Sequence, residues 1–248
     1  MTGDISHLPI VPASQLLDRG TFEPGKGSSG DLWDIRYLAG GITELVGLQG
    51  LLTLSSELLH AVQQEQQLAA WISAHEDSFY PPDFADNGID LASLPVVFAR
   101  SNRRAFRSAE VLLRSGAFRL LVIDMASVPA DFGRAGAAGA GTKGKTAEPL
   151  EVAAGREEAQ VPAAYQGRVL RLARQYDSAV LCLRPESPGA GPLGSLVSLR
   201  LEVSCHRKGH SRGEVGGNFE LQAHARKDKR NGPGWTHGQL CRSLAGLY

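Results

Sequence analysis

Phe118-Arg-Leu-Leu-Val-Ile-Asp124 is an almost continuous apolar run ending on a carboxylate, and it constrains the fold more than any other stretch. Such a run reads as a strand covered on both faces, the arrangement of parallel sheets between helices. The segments before it supply the rest of that arrangement. Ile42–Val46, Leu68–Ile72 and Pro95–Phe98 are further strand candidates. Between them, Leu51–Leu68 carries apolar residues at Leu51, Leu54, Leu58, Ala61, Val62 and Leu68, the spacing of a helix packed on a sheet. Arg103–Ser115 is a second helix, with Gly116 placed where a left-handed residue ends a helix. Alternation of strand and helix at this rhythm predicts an α/β fold with right-handed crossovers.

Beyond Asp124 the rhythm breaks. Residues 133–160 hold a Gly/Ala-rich run that cannot bury enough apolar surface to order itself, and a mobile insert is expected there. Order returns with a helix over Pro162–Tyr176 and a strand over Ser178–Leu183. In Ser195–Ser204, Val197, Leu199, Leu201 and Val203 alternate with Ser198, Arg200 and Glu202, and Phe219–Ala225 alternates likewise. One-sided alternation predicts an antiparallel pair closing the edge of a mostly parallel mixed sheet. Residues 1–28 read as an extended arm with a short amphipathic stretch near Ile10–Leu17, residues 29–233 as the main domain and 234–248 as a tail.

At 248 residues and 42% apolar content the chain is long enough for a real core, yet it has no apolar run of 18 residues, so no membrane contact is expected. Its start lacks a basic region followed by an apolar segment, and a secretory signal is not expected. Cys182, Cys205 and Cys241 are odd in number and far apart, which offers neither a disulfide framework nor a zinc spacing. A reducing cytoplasm is the expected location. Lys plus Arg balance Asp plus Glu at 26 each, so the whole molecule is not a cationic sponge for nucleic acid. From Arg200 to Arg230, however, eight Lys/Arg face four Asp/Glu, either a solvated face or a contact for nucleic acid or an acidic partner.

Gly41-Ile-Thr-Glu-Leu-Val-Gly47 is an apolar strand running into a glycine, the way P-loop ATPases present their phosphate cradle. A cradle then needs a Lys for the β/γ-phosphates and a hydroxyl for Mg²⁺. Leu48-Gln-Gly50-Leu51-Leu52-Thr53 follows instead, and aliphatic side chains are expected to plug the space. Gly139–Thr146 matches the phosphate-loop pattern letter for letter, with Lys145 as its lysine, but no apolar strand precedes it. Asp124, at a strand end, stands where nucleotide hydrolases hold Mg²⁺ through water. His75-Glu76-Asp77 would lie at the carboxyl edge of the sheet, open to proton transfer or metal binding, or simply surface charge. Lys227, Lys229 and Arg230 form a charged turn able to meet phosphate or an acidic partner. Leu240, Leu244, Leu247 and Tyr248 stand at helical spacing, a helix that either anchors a partner or packs back on its own domain.

These segments, in the order Ser29–Asp34, Gly40–Gly47, Ala70–Glu76, Asn87–Asp90, Leu120–Asp124 and the alternating strand to Lys227-Asp-Lys229, resemble the recombinase A (RecA) ATPase core over about residues 29–233. The resemblance implies a vestigial nucleotide site at Gly47, Gly50, Thr53 and Asp124, a catalytic-Glu position now held by His75, and subunit or partner contacts at Lys227, Lys229 and Arg230. A nucleotide-sensing glutamine would fall near Leu183-Arg184, where there is none. Among relatives without the ATPase motif, the chain most resembles the ImuA family of accessory proteins in damage-induced mutagenesis and translesion synthesis. That implies a non-enzymatic adaptor without cofactor or metal, binding RecA recombinase and an ImuB-type Y-family polymerase homologue, and through them an error-prone DnaE-type polymerase. SulA-type cell-division inhibitors are a neighbouring degenerate RecA-like group. An ATPase working through an unorthodox loop is the enzymatic alternative.

Overall fold

The computed structural model describes residues 32–75, 79–126, 161–186, 191–208 and 218–242. The arm at 1–28, the insert at 133–160 with Lys145, and Glu76, Asp77, Leu244, Leu247 and Tyr248 lie outside these residues. The described elements run α1 (Ile35–Leu38), β1 (Ile42–Val46), α2 (Leu51–Gln64), β2 (Leu68–Ser73), α3 (Pro81–Asp86), β3 (Val96–Phe98), α4 (Asn102–Arg114), β4 (Phe118–Asp124), α5 (Ala163–Gln175), β5 (Ala179–Arg184), β6 (Leu199–Lys208), β7 (Asn218–Asp228) and β8 (Thr236–Arg242).

The strands form one sheet in the order β3-β2-β4-β5-β1-β6-β7-β8. Neighbours from β3 through β6 are parallel, while β6–β7 and β7–β8 are antiparallel. The expected α/β architecture, largely parallel with antiparallel C-terminal strands and helices on both faces, is the one observed. Side chains sort by strand alternation into two cores. On one face Leu45, Trp71, Leu120, Val122 and Leu181 meet Leu54, Leu58 and Val62 of α2, and this core continues over β6 and β7 through Leu201, Val203 and Ala223. On the other face Ile42, Ile72, Leu121, Ile123 and Val180 meet Ala105, Phe106 and Ala109 of α4 and Val169 and Ala173 of α5.

Local chemistry sets both ends of α4. The Ser101 side chain caps α4 by accepting from the Arg104 amide at 3.3 Å, and Gly116 follows the helix at φ +68°. Pro81–Asp86 is a short helix, and Pro81 and Pro82 stand in its first turn, where they cost no hydrogen bonds. One expectation needs correction. The described part of the terminal segment, Thr236–Arg242, is not helical. Thr236–Arg242 pairs with β7 from His224↔Thr236 to Asn218↔Arg242 and forms the edge strand of the sheet. Pairing with a long neighbouring strand sets the conformation of these seven residues. No helix among the described residues is long and apolar enough to cross a membrane.

Candidate functional site

The ends of the parallel strands define two edges. At the carboxyl edge the β1–α2 turn is only Gly47-Leu48-Gln49-Gly50. A Cβ on Gly47 would lie 2.5 Å from the Val203 carbonyl oxygen, and one on Gly50, at φ +80°, would lie 2.3 Å from Leu221 Cδ2. The turn is thus pressed against the β6–β7 hairpin, and both glycines are there because nothing larger fits. What closes this turn differs from expectation. Leu51 turns into the core beside Leu54, but Leu48 and Leu52 are exposed at 68% and 40%. The hairpin residues Val203 and Leu221, rather than a row of leucines, occupy the turn's inner side. Thr53 sits half-buried in the first turn of α2.

Asp124 ends β4 at the same edge, beside Ser73 of β2. His75 Nε2 stands 3.8 Å from Asp124 Oδ2, so the residue at the expected catalytic-Glu position approaches the Mg²⁺-position acid with an imidazole. An imidazole stands where the resemblance implies a carboxylate. Asn102 fixes the chain after Asp124: its Oδ1 accepts from the Ala126 amide at 2.9 Å and its Nδ2 donates to the Ala126 carbonyl at 3.2 Å. Among the described residues no cluster of three or more His, Cys, Asp or Glu could hold a metal ion.

Next to this edge lies a buried ion cluster that the sequence did not announce. Glu44, in the middle of β1 and fully buried, accepts through Oε1 from Arg184 Nη1 of β5 at 2.5 Å, Arg200 Nη1 of β6 at 3.2 Å and the Leu193 amide at 3.0 Å. Arg184 also pairs with Glu186 at 2.6 Å. Where the resemblance implies a nucleotide-sensing glutamine, the chain has a guanidinium held between two carboxylates, and those hydrogen bonds outweigh its burial and raise its pKa. Cys182, two residues earlier, is fully buried and its thiol is pushed up by desolvation.

Lys227, Lys229 and Arg230 are at the opposite, amino-terminal edge, remote in the fold from Gly47 and Asp124, because β7 runs antiparallel and ends beside the start of β6. Both lysines donate to the Ser195 carbonyl, at 3.2 and 2.8 Å. Burial and the neighbouring Lys229 charge lower the Lys227 pKa. Arg230 donates to the carbonyls of Tyr37 and of Ala39, the latter at 2.7 Å, and lies over the Tyr37 ring. Asp228 between them accepts from Tyr37 Oη at 2.6 Å, Trp235 Nε1 at 2.9 Å and the Arg230 and Asn231 amides at 2.8 and 3.1 Å. Burial alone would raise its pKa, but these four donors pull it below the usual carboxylate value; the Tyr37 phenol is pushed up by its own burial first and by the Asp228 carboxylate second. An open depression of about 560 Å³ lies nearby, lined by Ser195, Arg200, Glu202, Arg226 and Lys227 among others. Arg226 is paired with Glu202 at 2.6 Å.

Leu240, the described part of the expected partner anchor, is 57% exposed on edge strand β8 opposite Glu220. Neither a family model nor a curated protein matches this chain.

One surface escaped the sequence reading. The helices α4 and α5 together carry seven arginines, at 103, 104, 107, 114, 168, 171 and 174, against a single acid, Glu110. The signal was available as arginines three and four residues apart on both helices. It was masked because Ala, Leu and Val between them read as an ordinary amphipathic pattern.

Proposed function

We propose that this protein is a non-catalytic adaptor on a recombinase-like frame, acting in damage-induced mutagenesis and translesion DNA synthesis. It binds RecA recombinase and an ImuB-type polymerase homologue, and reaches an error-prone DnaE-type polymerase through the latter. The observation that carries this reading is the β1–α2 turn. A phosphate cradle works by aiming several backbone N–H groups and a lysine at one anion. Here the turn has four residues, lacks the lysine and the adjoining hydroxyl, and leans on Val203 and Leu221 instead of opening around a ligand. His75 beside Asp124 points the same way, since it sets an imidazole against the one acid that a hydrolase would need for its metal.

With the phosphate site closed, what the frame has to offer a recombinase is its packing surface. A subunit docked at a filament end and unable to take up nucleotide would redirect or stop growth. The experiment is calorimetric titration of the purified chain with Mg²⁺-ATP, paired with capture assays against purified recombinase and polymerase homologue. Absence of heat at millimolar nucleotide together with recombinase capture is the expected result. Measurable ATP binding, or capture of neither partner, overturns the reading. Installing the missing groups as Leu51→Lys with Leu52→Thr is expected to leave ATP binding undetectable, because the turn's backbone remains pressed on the hairpin.

A further inference from the structure

The outer faces of α4 and α5 lie side by side over one face of the sheet, tied by Glu110, whose carboxylate meets Arg114 at 2.6 Å and Arg168 at 2.9 Å. Those two guanidiniums hold the Glu110 carboxyl below its usual pKa, Arg168 first. The single acid on the surface is therefore already used. Tyr165, at the start of α5, sits among the remaining charge. Arg168 lies 4.4 Å from its ring centroid and Arg103 5.7 Å, and Arg103, helped by Arg107, draws its phenol pKa below the ordinary value. Arg104, Arg107 and Arg171 are exposed and hold no ion pair with any described residue. In a chain of zero formal charge, this is a concentrated cationic face.

We infer that the outer face of α4 and α5 binds the phosphodiester backbone of a nucleic acid without reading its sequence. Three observations favour phosphate over an acidic protein. The charge is all arginine, whose planar fork meets a phosphate through two parallel hydrogen bonds. The face offers almost no apolar anchor, Val111 being its one large exposed hydrophobic residue, whereas protein interfaces depend on a desolvated apolar centre. Finally, from Arg103 to Arg114 the α4 arginines extend over about 16 Å, at 1.5 Å per residue, long enough to follow several successive phosphates along a strand. The inference stands apart from the adaptor reading, since a failed recombinase capture would leave it untouched and a failed DNA titration would leave the capture untouched.

The test is fluorescence anisotropy of the full chain with labelled 30-nucleotide DNA, single-stranded and duplex, across a salt series. Five arginine–phosphate contacts predict a log–log salt slope near −4.5 on duplex, at about 0.9 per contact. Replacing Arg104, Arg107 and Arg171 together with Ala should make the slope shallower by about 2.7 and weaken binding at low salt at least tenfold. The same three positions as Lys should keep most of the slope, and Lys227→Ala with Lys229→Ala should leave it unchanged. A wild-type slope shallower than about −2, an unchanged slope in a folded alanine variant, or preferential binding of polyglutamate over DNA would each overturn the inference. If the alanine variant does not fold, the wild-type slope and the polyglutamate competition decide.

Discussion

At the amino-terminal edge and along β6–β7, the cations Arg200, Arg226, Lys227, Lys229 and Arg230 each meet a carboxylate or a carbonyl of their own chain. On α4 and α5, seven arginines stand with Glu110 as the one acid of the two helices, and Arg104, Arg107 and Arg171 hold no ion pair with any described residue. Along the sequence the first region is the one continuous basic stretch, eight cations to four acids between Arg200 and Arg230, whereas the arginines of the second are divided between two helices that begin 61 residues apart, at Asn102 and Ala163. Among the described residues, it is the second whose charge is left open. The difference is one of geometry. In a sheet, a side chain faces residues from distant parts of the chain, so Arg200 finds Glu44 and Arg184 finds the same carboxylate from the other side. On a helix surface the neighbours are three and four residues away, and if the sequence supplies no acids there, the charge stays open. Local charge density along a chain therefore says little until the strands are paired.

If the first region is structural, its variants must unfold the protein, and those of the second must not. The largest effect belongs to Glu44→Ala, which takes from Arg184 and Arg200 the fully buried carboxylate that they share. It should cost about 3–5 kcal/mol in urea unfolding, with loss of the native fold at moderate temperature. A cost below about 1 kcal/mol would mean that the cluster is solvated and the contrast is false.

Asp228→Asn comes next, at about 1.5–3 kcal/mol near neutral pH, since a carboxylate accepting four hydrogen bonds is replaced by an amide that can accept fewer. The pH dependence has a definite sign. The folded pKa is below the unfolded one, so the stabilisation is complete above the ordinary carboxylate value, about 3.9, and disappears as pH falls through the folded value. Melting temperatures of wild type and variant should therefore converge in acid. Parallel curves down to low pH would contradict the assignment.

Arg230→Ala removes two carbonyl contacts and the stacking over Tyr37, and should lower stability by about 1–2 kcal/mol in the same assay. The smallest effect is expected for the alanine variant at Arg104, Arg107 and Arg171, within about 0.5 kcal/mol per site of wild type. Melting well below that range would move these arginines into the structural class and erase the distinction.

Much of the fold was legible because each parallel strand announces itself as an apolar run and each covering helix by its apolar spacing. Leu120–Ile123 and Leu54–Leu58–Val62 are the clearest cases. The antiparallel β6–β7 pair was legible from the alternation in Val197–Val203. Strand β8 was not, because Thr-His-Gly-Gln-Leu-Cys-Arg has one aliphatic residue and takes its conformation from the partner beside it rather than from its own pattern. The closed turn was half legible: the absent lysine could be read directly, but not the contact with Val203 and Leu221, which lie more than 150 residues away. Glu44 gave no warning either. It sits in an apolar strand, and only the pairing of β1 between β5 and β6 makes sense of a carboxylate there.

The contact of the β1–α2 turn with the β6–β7 hairpin has a mechanical meaning. Glu202 is level with Val46, the last residue of β1, and β6 runs on to Lys208, so the hairpin overhangs the parallel sheet by six residues, about 20 Å at 3.3 Å each. Val203 and Leu221 lie at the root of that overhang, against Gly47 and Gly50. The root of the overhang is thus also the wall of the turn leading into α2: the Val203 carbonyl and the Leu221 side chain leave no room for a side chain at either glycine. A substituent at Gly47 or Gly50 would therefore have to displace β6 or β7 before it could disturb the first turn of α2.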